Sequence, residues 1–344
     1  MATMIITKEN LEKFVDSLIR AGGAVGVTKK DSKFAFAPLK KASDLVLDYD
    51  VTLLPPKKYI QPQRETLIKF KIRPEIDAEA VIDSAPLTII GVHPYDLKAI
   101  NQMDRLFEEK HIDENYTKRR SETTIIAVTP TRASKWSFWS SMNSIFVETG
   151  FDLMLTDLGG RYAVEIGTAR GDELLKRNAK CEETSAADVQ KLEDIRINLL
   201  KMCASERRVN AQTEEMTAII EIHKKSELWE KRALKCYSCG SCNLICPTCY
   251  CFDVREDLDL NLSTGQRYRM WDGCLLEEFA KIASGENFRE ERTDRFRHRF
   301  FRKWSYLVKK LAEPACVGCG RCSSVCLPDI ADPVKVINEL KEEK

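Results

Sequence analysis

Residues 236–247 have the sequence CYSCGSCNLICP, and residues 316–326 have the sequence CVGCGRCSSVC. Both stretches space their cysteines as C-x2-C-x2-C-x3-C, so the chain contains an internal repeat. This spacing is typical of proteins that bind two 4Fe-4S clusters, in which the fourth cysteine of each run ligates the other cluster. Structural zinc is the alternative, but zinc sites use fewer cysteines per knuckle, separated by a gap. We therefore predict two cubane iron–sulfur clusters.

The spacing also predicts which thiolates share a cluster. Three cysteines on one tight loop can reach three corners of a cube, whereas the fourth leaves in a helical direction and reaches the other cube. The predicted ligands are Cys236, Cys239, Cys242 and Cys326 for the first cluster, and Cys316, Cys319, Cys322 and Cys246 for the second. Gly240 and Gly320 occupy matching positions in the two loops, where the absence of a Cβ allows a close turn.

Three further cysteines, Cys249, Cys251 and Cys274, lie in the same part of the chain. Together with Asp272, they could bind a third cluster or another metal, because soft thiolates are preferred ligands of such metals. The alternative is that they are small buried side chains packed around the two cubanes. The sequence leaves both interpretations open.

The composition favours a folded protein of balanced charge. The 344 residues are 43% hydrophobic and 31% charged, and 54 Lys and Arg residues against 53 Asp and Glu residues give a net charge of +1. This balance does not favour nucleic acid as a partner. We find no signal-peptide pattern and no run approaching about 20 apolar residues, so we expect a cytoplasmic protein without a membrane partner. Thirteen cysteines in that compartment indicate metal binding rather than disulfides.

The pattern along the chain predicts an α+β protein, with an N-terminal α/β domain followed by a helical dicluster ferredoxin domain. We divide it into a docking domain at 1–182, a helical connector at 183–233 and the cluster domain at 234–344. In the first part, apolar runs predict buried strands near 87–92 and 123–128. A hairpin is expected over 151–167, and helices over 10–20 and 95–107.

Helical spacing predicts further elements in the second half of the chain. The connector is expected to place one set of side chains in a core: Val189, Leu192, Ile195, Leu199 and Leu200. Amphipathic helices are expected over 273–284 and 293–311. The second of these is basic with interleaved aromatic residues, a composition that can indicate nucleic-acid binding. Because Phe296 and Phe300 share one helical face, we favour core packing, with arginines that tune the clusters.

Several longer segments resemble one known family. They are CPTCYCFDV at 246–254, RMWDGC at 269–274, NFREERTDRFRHRFFRKW at 287–304 and CVGCGRC at 316–322. Segments at 52–70, 91–100 and 150–158 extend the match over nearly the whole chain. They resemble the beta subunits of sulfhydrogenases, a family that includes the corresponding iron–sulfur subunits of anaerobic sulfite reductases.

The resemblance implies an electron-transfer subunit in a hetero-oligomeric complex. Electrons would pass between a flavoprotein that handles NAD(P)H and the catalytic subunit of an anaerobic oxidoreductase, of the hydrogenase, sulfite reductase or heterodisulfide-reductase type. The chain itself would carry no catalytic residue. The alternatives are a self-contained flavin-dependent reductase and an iron–sulfur protein that binds nucleic acid.

The N-terminal half departs from the pattern expected of this family. Where the family would show cysteines, this chain has Tyr95, Pro130, Ser137 and Trp139. The loss of four thiolates together is what the loss of one whole cluster would produce. We therefore predict that the N-terminal domain holds no cluster.

Overall fold

The computed structural model describes residues 3–109, 111–204 and 207–343. Within these ranges the strands are Thr3–Thr7 (β1), Ala24–Lys30 (β2), Lys33–Pro38 (β3), Arg64–Lys71 (β4), Asp77–Ala80 (β5), Leu87–Val92 (β6), Thr123–Val128 (β7), Leu153–Asp157 (β8), Arg161–Ile166 (β9), Glu182–Glu183 (β10), Phe252–Leu258 (β11) and Thr264–Trp271 (β12). The α-helices are Lys8–Ala21 (α1), Pro94–Glu108 (α2), Glu114–Ser121 (α3), Ala169–Asn178 (α4), Ala186–Ala204 (α5), Thr213–Ile222 (α6), Leu228–Ala233 (α7), Ser241–Leu244 (α8), Arg292–Phe301 (α9), Val308–Leu311 (α10), Arg321–Val325 (α11) and Pro333–Glu342 (α12).

A mixed sheet with the order β10-β1-β9-β8-β7-β6-β2-β3 forms the core of the N-terminal part. Its central strands β2, β6, β7 and β8 pair in parallel, and the outer pairs are antiparallel. The apolar side chains of β6 and β7 are buried among residues of helices α1 to α4. The predicted strands, the hairpin that turns at Gly159 and Gly160, and helices α1 and α2 are therefore confirmed. The protein contains both helices and sheets, as predicted, and its N-terminal part has α/β structure.

A smaller antiparallel sheet joins the two halves of the chain. Its order is β11-β12-β4-β5, so a hairpin at 252–271 pairs with a strand at 64–71. The carboxylate of Glu65 on β4 binds the buried guanidinium groups of Arg119 and Arg269 and fixes this junction to helix α3. The expectation that residues 234–344 are mainly helical is wrong for this hairpin. Its pairing depends on a strand about 200 positions away, which local patterns do not report.

The connector is helical as predicted, but its buried stripe is narrower. Leu192 and Leu199 are buried, whereas Val189 and Leu200 are half or more exposed, at 57% and 50%. The reason is geometric: Leu200 lies 100° around helix α5 from Leu199, and the helix packs on the sheet along one stripe only. The prediction for Val189 and Leu200 was therefore wrong.

The two predicted helices of the last part have different outcomes. Residues 293–311 are helical, through α9, a π-helical turn at Arg302–Tyr306 and α10. Residues 273–284 contain only a short 3-10 turn at Glu277–Ala280, so the predicted amphipathic helix is wrong there. Cys274 and Leu275 are both buried and the Leu276 side chain packs near Gly240, and three successive inward residues do not fit one helical face.

Candidate metal centre

The two cysteine runs have the same local structure. Each begins with a loop and enters a short helix, α8 or α11, through a glycine in the left-handed region, with φ of +69° at Gly240 and +76° at Gly320. Side chains other than glycine rarely adopt this conformation. A Cβ at Gly320 would also lie 2.4 Å from the backbone of Trp136. Both glycines are therefore required by the turn, as the repeat predicts.

The first predicted set of thiols lines one cavity. Cys236, Cys239, Cys242 and Cys326 surround a space of about 210 Å³. Burial, and to a lesser extent the nearby thiols of Cys322, Cys326 and Cys236, raise the pKa of Cys242 to about 12. Cys239 is exposed and Cys326 is half-buried, so this cavity opens to the surface.

The second predicted set is buried inside the protein. Its members Cys246, Cys316, Cys319 and Cys322 are each at most 9% exposed. Burial raises the pKa of Cys316 to about 12, and the thiols of Cys322 and Cys246 act in the same direction. Burial also raises the pKa of Cys319, and the Cys246 thiol adds to that rise. The structure thus brings the fourth cysteine of the first run to the first three of the second run.

Buried cations face both sets of thiols. The Arg299 guanidinium is 1% exposed and lowers the pKa of Cys242 and of Cys322, one from each set, against the effect of burial. Lys303 Nζ is 3.3 Å from Cys246 Sγ. Burial alone would lower the pKa of Lys303. The neighbouring thiols have the larger effect, so the pKa of Lys303 is raised. Thiol donors, a cavity and buried positive charge together fit anionic iron–sulfur clusters, whose potential such charges and hydrogen bonds tune.

The N-terminal half holds the second cysteine loop from outside. Arg321, between Cys319 and Cys322, forms a bidentate ion pair with Asp96 at 2.6 and 2.7 Å, and both side chains are 1% exposed. Its guanidinium also donates to Thr52 O and Oγ1, each at 2.8 Å. The loop backbone accepts hydrogen bonds from the 134–144 segment, for example from Phe138 N to Gly318 O at 2.8 Å. Sequence patterns gave no signal for this ion pair, since its partners are 225 positions apart.

The remaining predicted thiols lie beside the second set. Asn243 Nδ2 is 3.7 Å from Cys249 Sγ and 3.4 Å from Cys274 Sγ. Burial raises the pKa of Cys251, and the Cys274 thiol adds to this rise. The Asp272 carboxylate instead accepts a hydrogen bond from Gly273 N. Among the described residues, no three His, Cys, Asp or Glu side chains are placed to hold a single metal ion.

Aromatic side chains fill the place where the family pattern led us to expect cysteines. Tyr95 and Trp139 stack with ring centroids 5.3 Å apart and pack with Val317 and Cys319 of the second cysteine loop. Ser137 and Pro130, the other two of these positions, are also buried. The hypothesis that no cluster binds here stays a prediction, and the packed rings are compatible with it.

Lys57 lies beside the Cys249 backbone, and the sequence did not predict it as a residue of this site. Its ammonium is 3% exposed and donates a hydrogen bond to the carbonyl oxygen of Cys249. It also lies 4.3 Å from the centre of the Trp271 ring. Burial lowers the pKa of Lys57 to about 8, although the thiols of Cys249 and Cys246 oppose this. In the sequence, Lys57 is one lysine of PPKKY and carries no signal of burial.

The paired cysteine loops define the class to which the protein belongs. Residues 235–330 match the family described as the 4Fe-4S dicluster domain, so the chain is an iron–sulfur protein. Over 335 residues it is 30% identical to Sulfhydrogenase 2 subunit beta of Pyrococcus furiosus, and the alignment covers 97% of each chain. The chain belongs to the family of sulfhydrogenase beta subunits, which confirms the resemblance predicted from its motifs.

The comparison with solved structures and the search of the described residues for a membrane-spanning helix both found none. No solved structure matches the chain. In the part of the chain that the structure describes, none of the helices combines the length and the apolar character needed to cross a membrane.

Proposed function

We propose that the chain relays electrons inside a multisubunit oxidoreductase, between a flavoprotein that handles NAD(P)H and a catalytic redox subunit. The observation that carries this proposal is the pair of adjacent four-thiol sets, one open to the surface and one buried. 4Fe-4S clusters accept and release single electrons, which is the chemistry that such sets would supply. The relative from Pyrococcus furiosus is named as the beta subunit of a sulfhydrogenase, and this name supports a complex with other subunits.

We assign one cluster to Cys236, Cys239, Cys242 and Cys326, and the other to Cys316, Cys319, Cys322 and Cys246. In this assignment each run lends its last cysteine to the other cluster, so the two centres share one scaffold. The protein's own contribution is electrostatic. Arg299 faces thiols of both sets, and Lys303 hydrogen-bonds to Cys246. Such positive charge favours the reduced form and thereby raises the potential.

The surface around the first set is suited to contact with a redox partner. Tyr237 is 72% exposed and Leu327 is 89% exposed, and both line the same cavity as the first four thiols. Aromatic side chains are enriched in protein interfaces, and exposed apolar patches mark interaction sites. We therefore propose that electrons enter or leave through this cluster, while the N-terminal residues 1–182 serve as a docking scaffold that covers the other.

Substitution of the fourth cysteines tests the ligand assignment. Cys326→Ser should remove or alter the signals of the first cluster and leave the second, and Cys246→Ser should do the reverse. Electron paramagnetic resonance of the dithionite-reduced full chain reports both centres. If each substitution affects the cluster bound by its own run, the crossed assignment is wrong.

The partners can be identified by isolating the native complex without oxygen and analysing it by mass spectrometry. A flavoprotein together with a hydrogenase, sulfite reductase or heterodisulfide-reductase subunit is expected. NAD(P)H should then reduce the clusters only when the flavoprotein is present. A chain that is isolated alone, holds flavin and is reduced directly by NAD(P)H would contradict the relay.

A further inference from the structure

Helix α5 carries two apolar stripes, and only one of them is buried. Leu192 and Leu199 form the buried stripe. Beside it, Val189, Ile197 and Leu200 lie within an arc of about 80° around the helix. These three side chains are 57%, 41% and 50% exposed. Single exposed apolar residues are common on protein surfaces, but a continuous exposed stripe is typical of a helix that contacts another protein.

The exposed stripe borders a groove of about 390 Å³, which we call the α5 groove. Ile197 and Leu200 line it, together with Phe146 of the 145–148 segment, which is 45% exposed. Phe151 and Met154 are among its buried lining residues, at 3% and 6% exposed. The groove is therefore apolar and remains open to solvent along α5.

The margins of the α5 groove carry an excess of negative charge. Glu148, Glu165 and Glu193 line it, and Arg196 is the one cation in that lining. Arg196 is shared, since its guanidinium lies 2.8 Å from the carboxylate of Glu165 and 3.8 Å from that of Glu193. Glu148 is exposed and forms no ion pair within the described ranges. Three carboxylates against one guanidinium favour an occupant with basic side chains.

A second copy of the chain would not supply this positive charge. A symmetric dimer places the same patch on both sides of its interface. Two α5 grooves in contact would thus bring Glu148 and Glu193 against the same carboxylates of the other copy, and like charges in an interface repel. The charge therefore points to a different chain as the occupant.

From these observations we propose that the α5 groove binds an amphipathic helix of a partner subunit, with apolar side chains on one face and Lys or Arg along its margins. The rise of α5 from Val189 to Leu200 is about 16 Å, which about three turns of a bound helix would span. In this mode of recognition, side chains at i, i+3 or i+4, and i+7 enter the groove. The inference rests on the proposed function, because it requires other subunits. The α5 groove shares no lining residue with the cavity of the first four thiols, so it is a separate contact.

Hydroxyl-radical footprinting of the native complex and of the full chain alone shows which side chains the complex covers. Oxidation of Phe146 and Leu200 should fall at least about fivefold in the complex, because the centre of an interface excludes water. Ile222 on α6 is 77% exposed and should be oxidised equally in both samples. Unchanged oxidation of Phe146 and Leu200 in the intact complex would overturn the proposal.

Carbodiimide cross-linking of the native complex identifies the chemistry of the occupant, because the reagent joins carboxylates to lysine amines. Links are expected from Glu148 or Glu193 to lysines of one partner segment that has helical apolar spacing. The occupant would be wrong if these carboxylates were linked to lysines of a second copy of the chain. Mixing isotope-labelled and unlabelled chain distinguishes such links from those within one chain.

Leu200→Asp places a charge inside the α5 groove and should raise the dissociation constant for the purified partner subunit about 30-fold. Ile222→Asp is the matched control at an exposed apolar position of another helix, and it should bind as the wild type does. Both variants should keep the wild-type iron content, which shows that the fold is retained. Equal binding of Leu200→Asp and the wild type would contradict the inference.

Failure of this inference can be distinguished from failure of the proposed function. A complex that forms and transfers electrons without covering the α5 groove contradicts only the inference. A chain that is isolated without partner subunits and is reduced directly by NAD(P)H contradicts both.

Discussion

The buried ammonium of Lys303 is expected to raise the reduction potential of the cluster held partly by Cys246. Lys303 is 3% exposed, and its Nζ donates to Cys246 Sγ at 3.3 Å, Thr248 Oγ1 at 2.8 Å and Ala315 O at 3.1 Å. Lys303→Met keeps most of the side-chain volume and removes the charge. An electron added to the cluster is then no longer stabilised by the ammonium, so the potential should fall.

The size of this fall in potential follows from the distance between Lys303 Nζ and Cys246 Sγ. A unit charge 3.3 Å from a full electron would be worth about 5 kcal/mol at an effective dielectric constant of about 20. The added electron is shared over the cluster, and a quarter share on one of four ligand sulfurs leaves about 1.3 kcal/mol. For a one-electron couple this corresponds to about 50 mV. The expected effect is therefore a potential lower by about 50 mV at one of the clusters.

A redox titration monitored by electron paramagnetic resonance measures this shift. Lys303→Arg keeps the positive charge and should retain most of the wild-type potential. Lys309→Met removes a charge from an exposed position in the same helical region, where water screens it, and should change neither potential measurably. A fall of equal size in Lys303→Met and Lys309→Met, or in both clusters alike, would refute the assignment of a local electrostatic effect to Lys303.

Three further substitutions are expected to have distinct effects. Asp96→Asn leaves the buried guanidinium of Arg321 without its carboxylate and should lower the free energy of unfolding by about 3–5 kcal/mol, measured by chemical denaturation of the full chain. Glu65→Gln removes the carboxylate shared by two buried guanidinium groups and should cost about 3 kcal/mol, with faster hydrogen exchange in residues 252–271. Leu327→Asp places a charge on the exposed rim of the first cavity and should slow electron transfer from the partner about tenfold, measured by stopped-flow, with potentials unchanged.

Each of these substitutions has a matched control at an exposed position. Asp48→Asn breaks an exposed ion pair with Arg132, and Glu256→Gln breaks one with Arg267, so each should cost less than about 1 kcal/mol. Leu260→Asp changes a fully exposed leucine in the turn of the β11–β12 hairpin and should leave electron transfer unchanged. If a substitution and its control behave alike, the corresponding buried contact or docking surface does not have the role assigned to it.

Local patterns in the sequence were sufficient for the elements that depend on neighbouring residues. The cysteine repeat predicted the two loops and their glycine turns, and the apolar runs predicted strands β6 and β7. The hairpin β11–β12 was missed because β12 pairs with β4, a strand about 200 positions away that no local window includes. The same holds for Lys57 and Arg321, whose partners lie in the other half of the chain.

These long-range contacts make the two halves of the chain one structural unit. The β4–β12 pairing, the Arg321–Asp96 ion pair and the hydrogen bond from Phe138 to Gly318 all join residues before 145 to residues after 260. The ion pair and the Phe138 hydrogen bond hold the second cysteine loop, whereas the first loop stays open, with Cys239 exposed. In the proposed relay, the N-terminal half therefore determines which cluster is accessible: it shields the second cluster from solvent and small oxidants, so a partner exchanges electrons through the first.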